Sequence, residues 1–231
     1  MEIPVLFKTP MVQRILVDRK NMTRRLRGLK YINEHPDNWE FLNTSDKLDF
    51  PRPADCKYPD RLWYKWTNIH NNGKSFITQC PYGKPGDILW VRENWCEPVL
   101  CDGFEKDYYY QADDIKVTDF ASRFINFKWK PSIHMPRKAC RILLQVEEIR
   151  VERLQDITEA DAIAEGIHPD SGGWKSYEII HEGKHKGEVN PHSIVPNRSP
   201  ITSYKELWQS INGLDSWDKN PWLWVVKFKK L

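Results

Sequence analysis

Asp18-Arg19-Lys20-Asn21-Met22-Thr23-Arg24-Arg25 places, from Lys20 onward, an amine, a hydroxyl and two guanidiniums on nearly adjoining positions. Just upstream, Thr9-Pro10-Met11-Val12-Gln13-Arg14-Ile15-Leu16-Val17 reads as a short helix. Thr9 is placed to cap it, Pro10 suits the first helical position, and Met11, Val12, Ile15 and Leu16 share one apolar face. The reactive groups therefore sit where a helix ends. If the last turn runs on through Lys20, then Lys20 and Thr23, three residues apart, project to the same side and the amine reaches the hydroxyl. A threonine nucleophile activated by a lysine needs that geometry. On spacing alone the plainer reading is favoured, a set of basic residues that serve the negative end of a helix and meet water.

A chain of 231 residues can bury a substantial core, either as one domain with insertions or as two small ones. Charged residues make up 29% and hydrophobic ones 40%, with no apolar run long enough to span a bilayer. The opening Met1-Glu2-Ile3-Pro4-Val5-Leu6-Phe7-Lys8 is too short, and acidic too early, for a secretory leader, so a cytoplasmic location is expected. Cys56, Cys80, Cys96, Cys101 and Cys140 are odd in number and contain no C-x-x-C pair, which argues against a disulfide framework and a zinc knuckle. Cys80, Cys96 and a distant histidine could still assemble a metal site; the expectation is reduced thiols, no metal and no cofactor. A net charge of +3 permits nucleic-acid contact without requiring it. The eleven tryptophans serve either base stacking or core filling.

Along the chain, a first strand is expected at residues 3–7, and residues 28–78 read as a polar and aromatic insertion, a hairpin or two lying over the core. Cys80-Pro81-Tyr82-Gly83-Lys84-Pro85-Gly86-Asp87 forms tight turns ahead of the strand Ile88-Leu89-Trp90-Val91-Arg92-Glu93, whose tip is expected to bring Arg92, Glu93 and Trp95 to a pocket. After a second insertion at 97–130, with a strand at Tyr108-Tyr109-Tyr110, two prolines in Lys130-Pro131-Ser132-Ile133-His134-Met135-Pro136-Arg137 hold His134 and Arg137 at fixed spacing. A long strand from Cys140 to about Val151 loses its alternation midway, which predicts a bulge or a bend at a barrel corner. Thr158 then caps a helix ended by Gly166. Glu165, in its last turn, faces the negative dipole end, which raises a carboxyl pKa and suits a proton donor; the plain alternative is a solvated surface acid. A third insertion, 168–199, holds His168, His181, His185 and His192 without a convincing metal pattern. Ser203 opens a helix with Tyr204, Leu207, Trp208 and Ile211 on one face and Gly213 at its end, and Trp222-Leu223-Trp224-Val225-Val226-Lys227-Phe228 is the final strand. Short strands separated by three helices predict an α+β barrel.

These elements, in this order, resemble the ASCH domain of the PUA-like superfamily: the helix and Arg19-Lys20-Asn21-Met22-Thr23-Arg24-Arg25, the strand Gly86-Asp87-Ile88-Leu89-Trp90-Val91, the long strand into Leu154-Gln155-Asp156-Ile157-Thr158, Glu165, and the terminal W-V-V-K-F strand. Residues 80–87, 131–137 and Asp218-Lys219-Asn220-Pro221-Trp222 are similar to larger, often phage- or prophage-encoded members. The resemblance implies one domain over 1–231, a mixed β-barrel with flanking helices, and a cleft for RNA or a nucleoside. It also implies, from one small branch, an amidohydrolase that removes the acetyl group of N4-acetylcytidine with Lys20, Thr23 and Glu165 as its catalytic set. Asp18 and Asn21 depart from that branch, which has Gly and Thr there. In such a cleft Trp90 or Trp95 would stack on the base, while Arg24, Arg25, Glu93, His134 and Arg137 would contact base, ribose or phosphate. Two other classes fit the same residues: a non-catalytic RNA or modified-base reader, and an accessory protein acting through protein contacts. Oligomeric state has no signature in the sequence.

Overall fold

The computed structural model describes residues 1–45, 62–70, 74–97, 108–113, 128–170, 173–174, 177 and 199–231. In chain order its elements are β1 (Glu2–Leu6), α1 (Thr9–Leu16), β2 (Met22–Arg25), α2 (Lys30–Glu34), β3 (Trp39–Ser45), β4 (Trp63–Asn68), β5 (Ser75–Gln79) and β6 (Ile88–Arg92). There follow β7 (Trp95–Cys96), β8 (Tyr109–Tyr110), β9 (Leu143–Arg153), α3 (Glu159–Ala164), β10 (Pro169–Asp170), β11 (Gly173–Trp174), α4 (Pro200–Asn212) and β12 (Trp222–Lys230), with short 3-10 turns between. The fold is α+β.

The central sheet has the order β1-β6-β9-β12-β2, with β1 parallel to β6 and the other pairs antiparallel. The expected bulge lies in β9: Val146 faces Phe228 and Glu148 faces Lys227, leaving Glu147 without a partner. That extra residue re-phases the alternation, so Val146 and Ile149 both point into the core while Glu147 and Glu148 face water. Among the described residues the sheet does not close into the expected barrel, because its edge strands β1 and β2 share no ladder. A side chain spans the gap instead: Arg25 Nη2 donates to Leu6 O at 2.8 Å.

The first insertion is more regular than its sequence suggests. β3, β4 and β5 form a three-stranded antiparallel sheet, and Trp39, Tyr64 and Trp66 enter the same apolar core as Val5, Leu89, Val146 and Trp224. The Tyr64 and Trp224 rings meet edge-on at 4.5 Å, and Trp66 meets Trp222 at 5.1 Å. Period two is hidden in β4 because Trp63, Tyr64 and Trp66 are all buried. A second core gathers Leu154, Ile157 and Ala162 against Tyr204, Leu207, Trp208 and Leu223, seating α3 and α4 on the sheet.

Helix ends differ in part from expectation. Thr158 Oγ1 accepts from Asp161 N at 3.1 Å, as a cap should. Thr9 does not cap α1: Lys8 holds that position, and the Thr9 hydroxyl donates to Gln111 Oε1. Helix α4 begins at Pro200, with Ser199 accepting from Thr202 N, while Ser203 is buried inside it. Gly213, at φ +98°, ends it. Ile211, placed on the buried face from sequence, is exposed. Most of 97–130 and 168–199 lies outside the described residues, as do Cys56, Cys101, His181, His185 and His192. Among the described residues no helix is long and apolar enough to cross a membrane.

Candidate functional site

The site forms where the chain passes from α1 into β2. Helix α1 stops at Leu16, and Asp18 turns the backbone at φ +55°, so Lys20 and Thr23 do not share a helical face. The cation that serves the end of α1 is Lys230, whose Nζ lies 2.9 Å from Leu16 O and 2.7 Å from Asp18 Oδ1. Lys20 is thereby left for another partner. Its neighbour Asn21 is clamped at both backbone atoms: N donates to Ala164 O at 3.0 Å, and O accepts from Phe228 N at 2.8 Å. These bonds place Lys20 against the end of α3, where Nζ donates to Glu165 Oε2 at 2.5 Å and to Glu165 O at 2.8 Å. Lys20 and Glu165 are 4% and 5% exposed, so Glu165 is not a solvated surface acid.

Thr23 sits on a strand, and period two pairs it with Arg25 while pairing Met22 with Arg24. Arg25 Nε donates to Thr23 Oγ1 at 3.0 Å, and its guanidinium lies 4.7 Å from the centre of the Phe7 ring. Arg24 is buried among acids, 2.8 Å from Asp161, 3.0 Å from Glu152 and 3.7 Å from Glu165 Oε1. Among the described residues no hydrogen bond joins Lys20 to Thr23, yet both line one cavity of about 670 Å³ with Glu165, Arg24 and Arg25. Phe7, Tyr82, Leu207 and Trp208 supply its apolar wall.

Burial pushes the Lys20 ammonium down to about 8, against the raising pull of Glu165 and with Arg25 and Arg14 adding to the fall. Arg24, although adjacent in sequence to Arg25, belongs to the acid cluster, and the second cation acting on Lys20 is Arg14, a buried arginine on α1 whose Nη2 donates to the Tyr177 hydroxyl. Burial drives the Tyr204 phenol, also on the cavity wall, well above its ordinary value.

Five anticipated binding residues are not at this cavity. Trp95 is buried in a small core with Met135 and Ala139. Glu93 is buried under a two-point pair with Arg141, at 2.9 and 3.0 Å; burial raises its carboxyl despite that cation. Trp90 stacks with Arg92 and Arg137. Arg137 pairs with Glu2 at 2.8 Å, and His134 is exposed. Their segments do arrive, through other residues: Asn94 and Ser132 line the cavity, joined by the Ser132 N to Asn94 Oδ1 bond of 3.0 Å. Sequence reading also missed Lys8, Arg27, Tyr82 and Tyr204; the basic run continuing past Arg25 was the available signal for Arg27. No group of three or more metal-type ligands assembles among the described residues, and Cys80 and Cys96 are buried.

No family model, curated protein or solved structure matches the chain.

Proposed function

We propose that the protein removes an acyl group from the exocyclic amine of a modified cytidine of the N4-acetylcytidine kind, on a PUA-like (ASCH) scaffold. The observation that carries this reading is the buried Lys20–Glu165 pair beside the Thr23 hydroxyl on one cavity wall. A lysine pKa of about 8 leaves about a tenth of Lys20 as free amine at neutral pH. Ligand entry turns that amine from Glu165 toward Thr23, where it takes the hydroxyl proton as Oγ attacks the acyl carbon. Arg25, already at that oxygen, faces the charge developing on the carbonyl oxygen. The bond from the acyl carbon to N4 then breaks. Glu165, receiving the proton from Lys20 across their 2.5 Å contact, delivers it to the departing amine. Water, deprotonated by Lys20, releases the acid from acyl-Thr23 and restores the hydroxyl.

A second reading is a non-catalytic binder of RNA or of a modified base, favoured by the lack of a Lys20–Thr23 hydrogen bond; there the same cations act as a clamp. The experiment that separates them incubates purified protein with N4-acetylcytidine and follows the ultraviolet change to cytidine. Turnover that disappears in Thr23→Ala, with ligand still bound, is expected for the hydrolase. An inactive wild type that retains RNA in a salt-dependent manner assigns the binder.

A further inference from the structure

We propose that the ligand of this cavity carries a phosphate, held at the mouth by Lys8, Arg25 and Arg27. This deepens the nucleoside reading above and rests on it for the use of the cavity. The argument is one of unanswered charge. Five cations line the cavity, Lys8, Lys20, Arg24, Arg25 and Arg27, against the single carboxylate of Glu165. The two inner cations are answered: Lys20 by Glu165, and Arg24 by Asp161, Glu152 and Glu165.

The other three are not. Lys8 and Arg27 are exposed, and among the described residues their side chains make no hydrogen bond or ion pair. Among the described residues Arg25 is held only by neutral groups, the Thr23 hydroxyl, the Leu6 carbonyl and the Phe7 ring. Elsewhere Arg137 and Lys130 are matched with acids, Glu2 and Glu97. Lys8, Arg25 and Arg27 differ in lining one cavity together with no acid paired to them among the described residues. Lys8 to Met11, at the start of α1, also line it, adding the positive end of a helix dipole. Guanidiniums with an ammonium match a multi-oxygen dianion, whereas Phe7, Tyr82 and Trp208 make the adjoining wall of the same cavity aromatic, a surface suited to a base. Those two halves describe a nucleotide, free or as a unit of a single strand.

The test is calorimetric binding of cytidine, cytidine 5′-monophosphate, uridine 5′-monophosphate and a short oligocytidylate to the full chain and to a Lys8→Gln/Arg27→Gln double variant. None of these probes has an acyl group, so binding is read apart from turnover. Cytidine monophosphate is expected to bind roughly tenfold tighter than cytidine or better, with the preference collapsing toward one in the double variant. That ratio, taken within one variant, is its own control for folding. Equal binding of cytidine and its monophosphate, a preference that survives in the double variant, or no binding of either overturns the proposal. Equal affinity for the two monophosphates, both above cytidine, upholds it while removing the cytidine reading. A tighter oligocytidylate assigns the phosphate to a strand, a tighter monophosphate to a free nucleotide, and both uphold the site.

Discussion

Lys20 is an ammonium enclosed by protein, and its chemistry follows from two opposed pulls. Burial lowers its pKa to about 8, while the Glu165 carboxylate holds it up. If the free amine is the base, kcat/KM rises roughly tenfold per pH unit below that value and levels off above it. Glu165→Gln takes away the upward pull, so in the residual activity of that variant the rising limb shifts to lower pH. A limb that stays in place, or moves upward, takes Lys20 out of the role of base. At this scale the sequence singled out Lys20 and Thr23, and the family resemblance added Glu165. The spacing placed Lys20 and Thr23 on one helical turn; they line one cavity instead from a clamped loop and a strand.

At the scale of elements, the end of α3 is the part on which the site depends most. Gly166 lies at φ +96°, and a Cβ there would stand 2.8 Å from Arg14 Cδ and 3.4 Å from Lys20 Cβ. Gly166→Ala should cost about 1–3 kcal/mol, read as a lower urea midpoint. Because the added methyl group presses on Arg14 and Lys20 themselves, the Lys20 limb should move as well. An alanine variant with wild-type stability and pH profile would show that this turn relaxes freely. Elements with a local signature were legible: the Thr158 cap, the Gly213 stop, and the slip in alternation that marks Glu147 as the bulge. The three-stranded sheet β3-β4-β5 was not, since its middle strand buries successive aromatics and so shows no period.

For the whole molecule, one apolar core spans both larger sheets, with Tyr64 and Trp66 of the small sheet packed on Trp224 and Trp222 of the large one. The two sheets should therefore unfold together. Trp66→Ala, emptying a fully buried site, should cost about 3–5 kcal/mol and lower a single transition seen alike by far- and near-ultraviolet circular dichroism. Two separate midpoints would mean that the sheets are independent units. The eleven tryptophans, ambiguous as a count, resolve here: Trp39, Trp63, Trp66, Trp95, Trp208, Trp217 and Trp224 are buried.

By itself the sequence determined the elements that carry a local signature, such as β1, β6, β9, β12 and the helices α1, α3 and α4, together with the slip in β9, because caps, turn glycines and alternation act between near neighbours. Tertiary structure alone decided that Lys230 rather than Lys20 serves the end of α1, that Glu165 closes on Lys20, that Glu93 is answered by Arg141, and that Arg25 bridges an open sheet. Each of these contacts joins residues far apart in the chain. No local pattern encodes which of several charges will meet; the packing of α1, β2, α4 and the end of α3 around one cavity does.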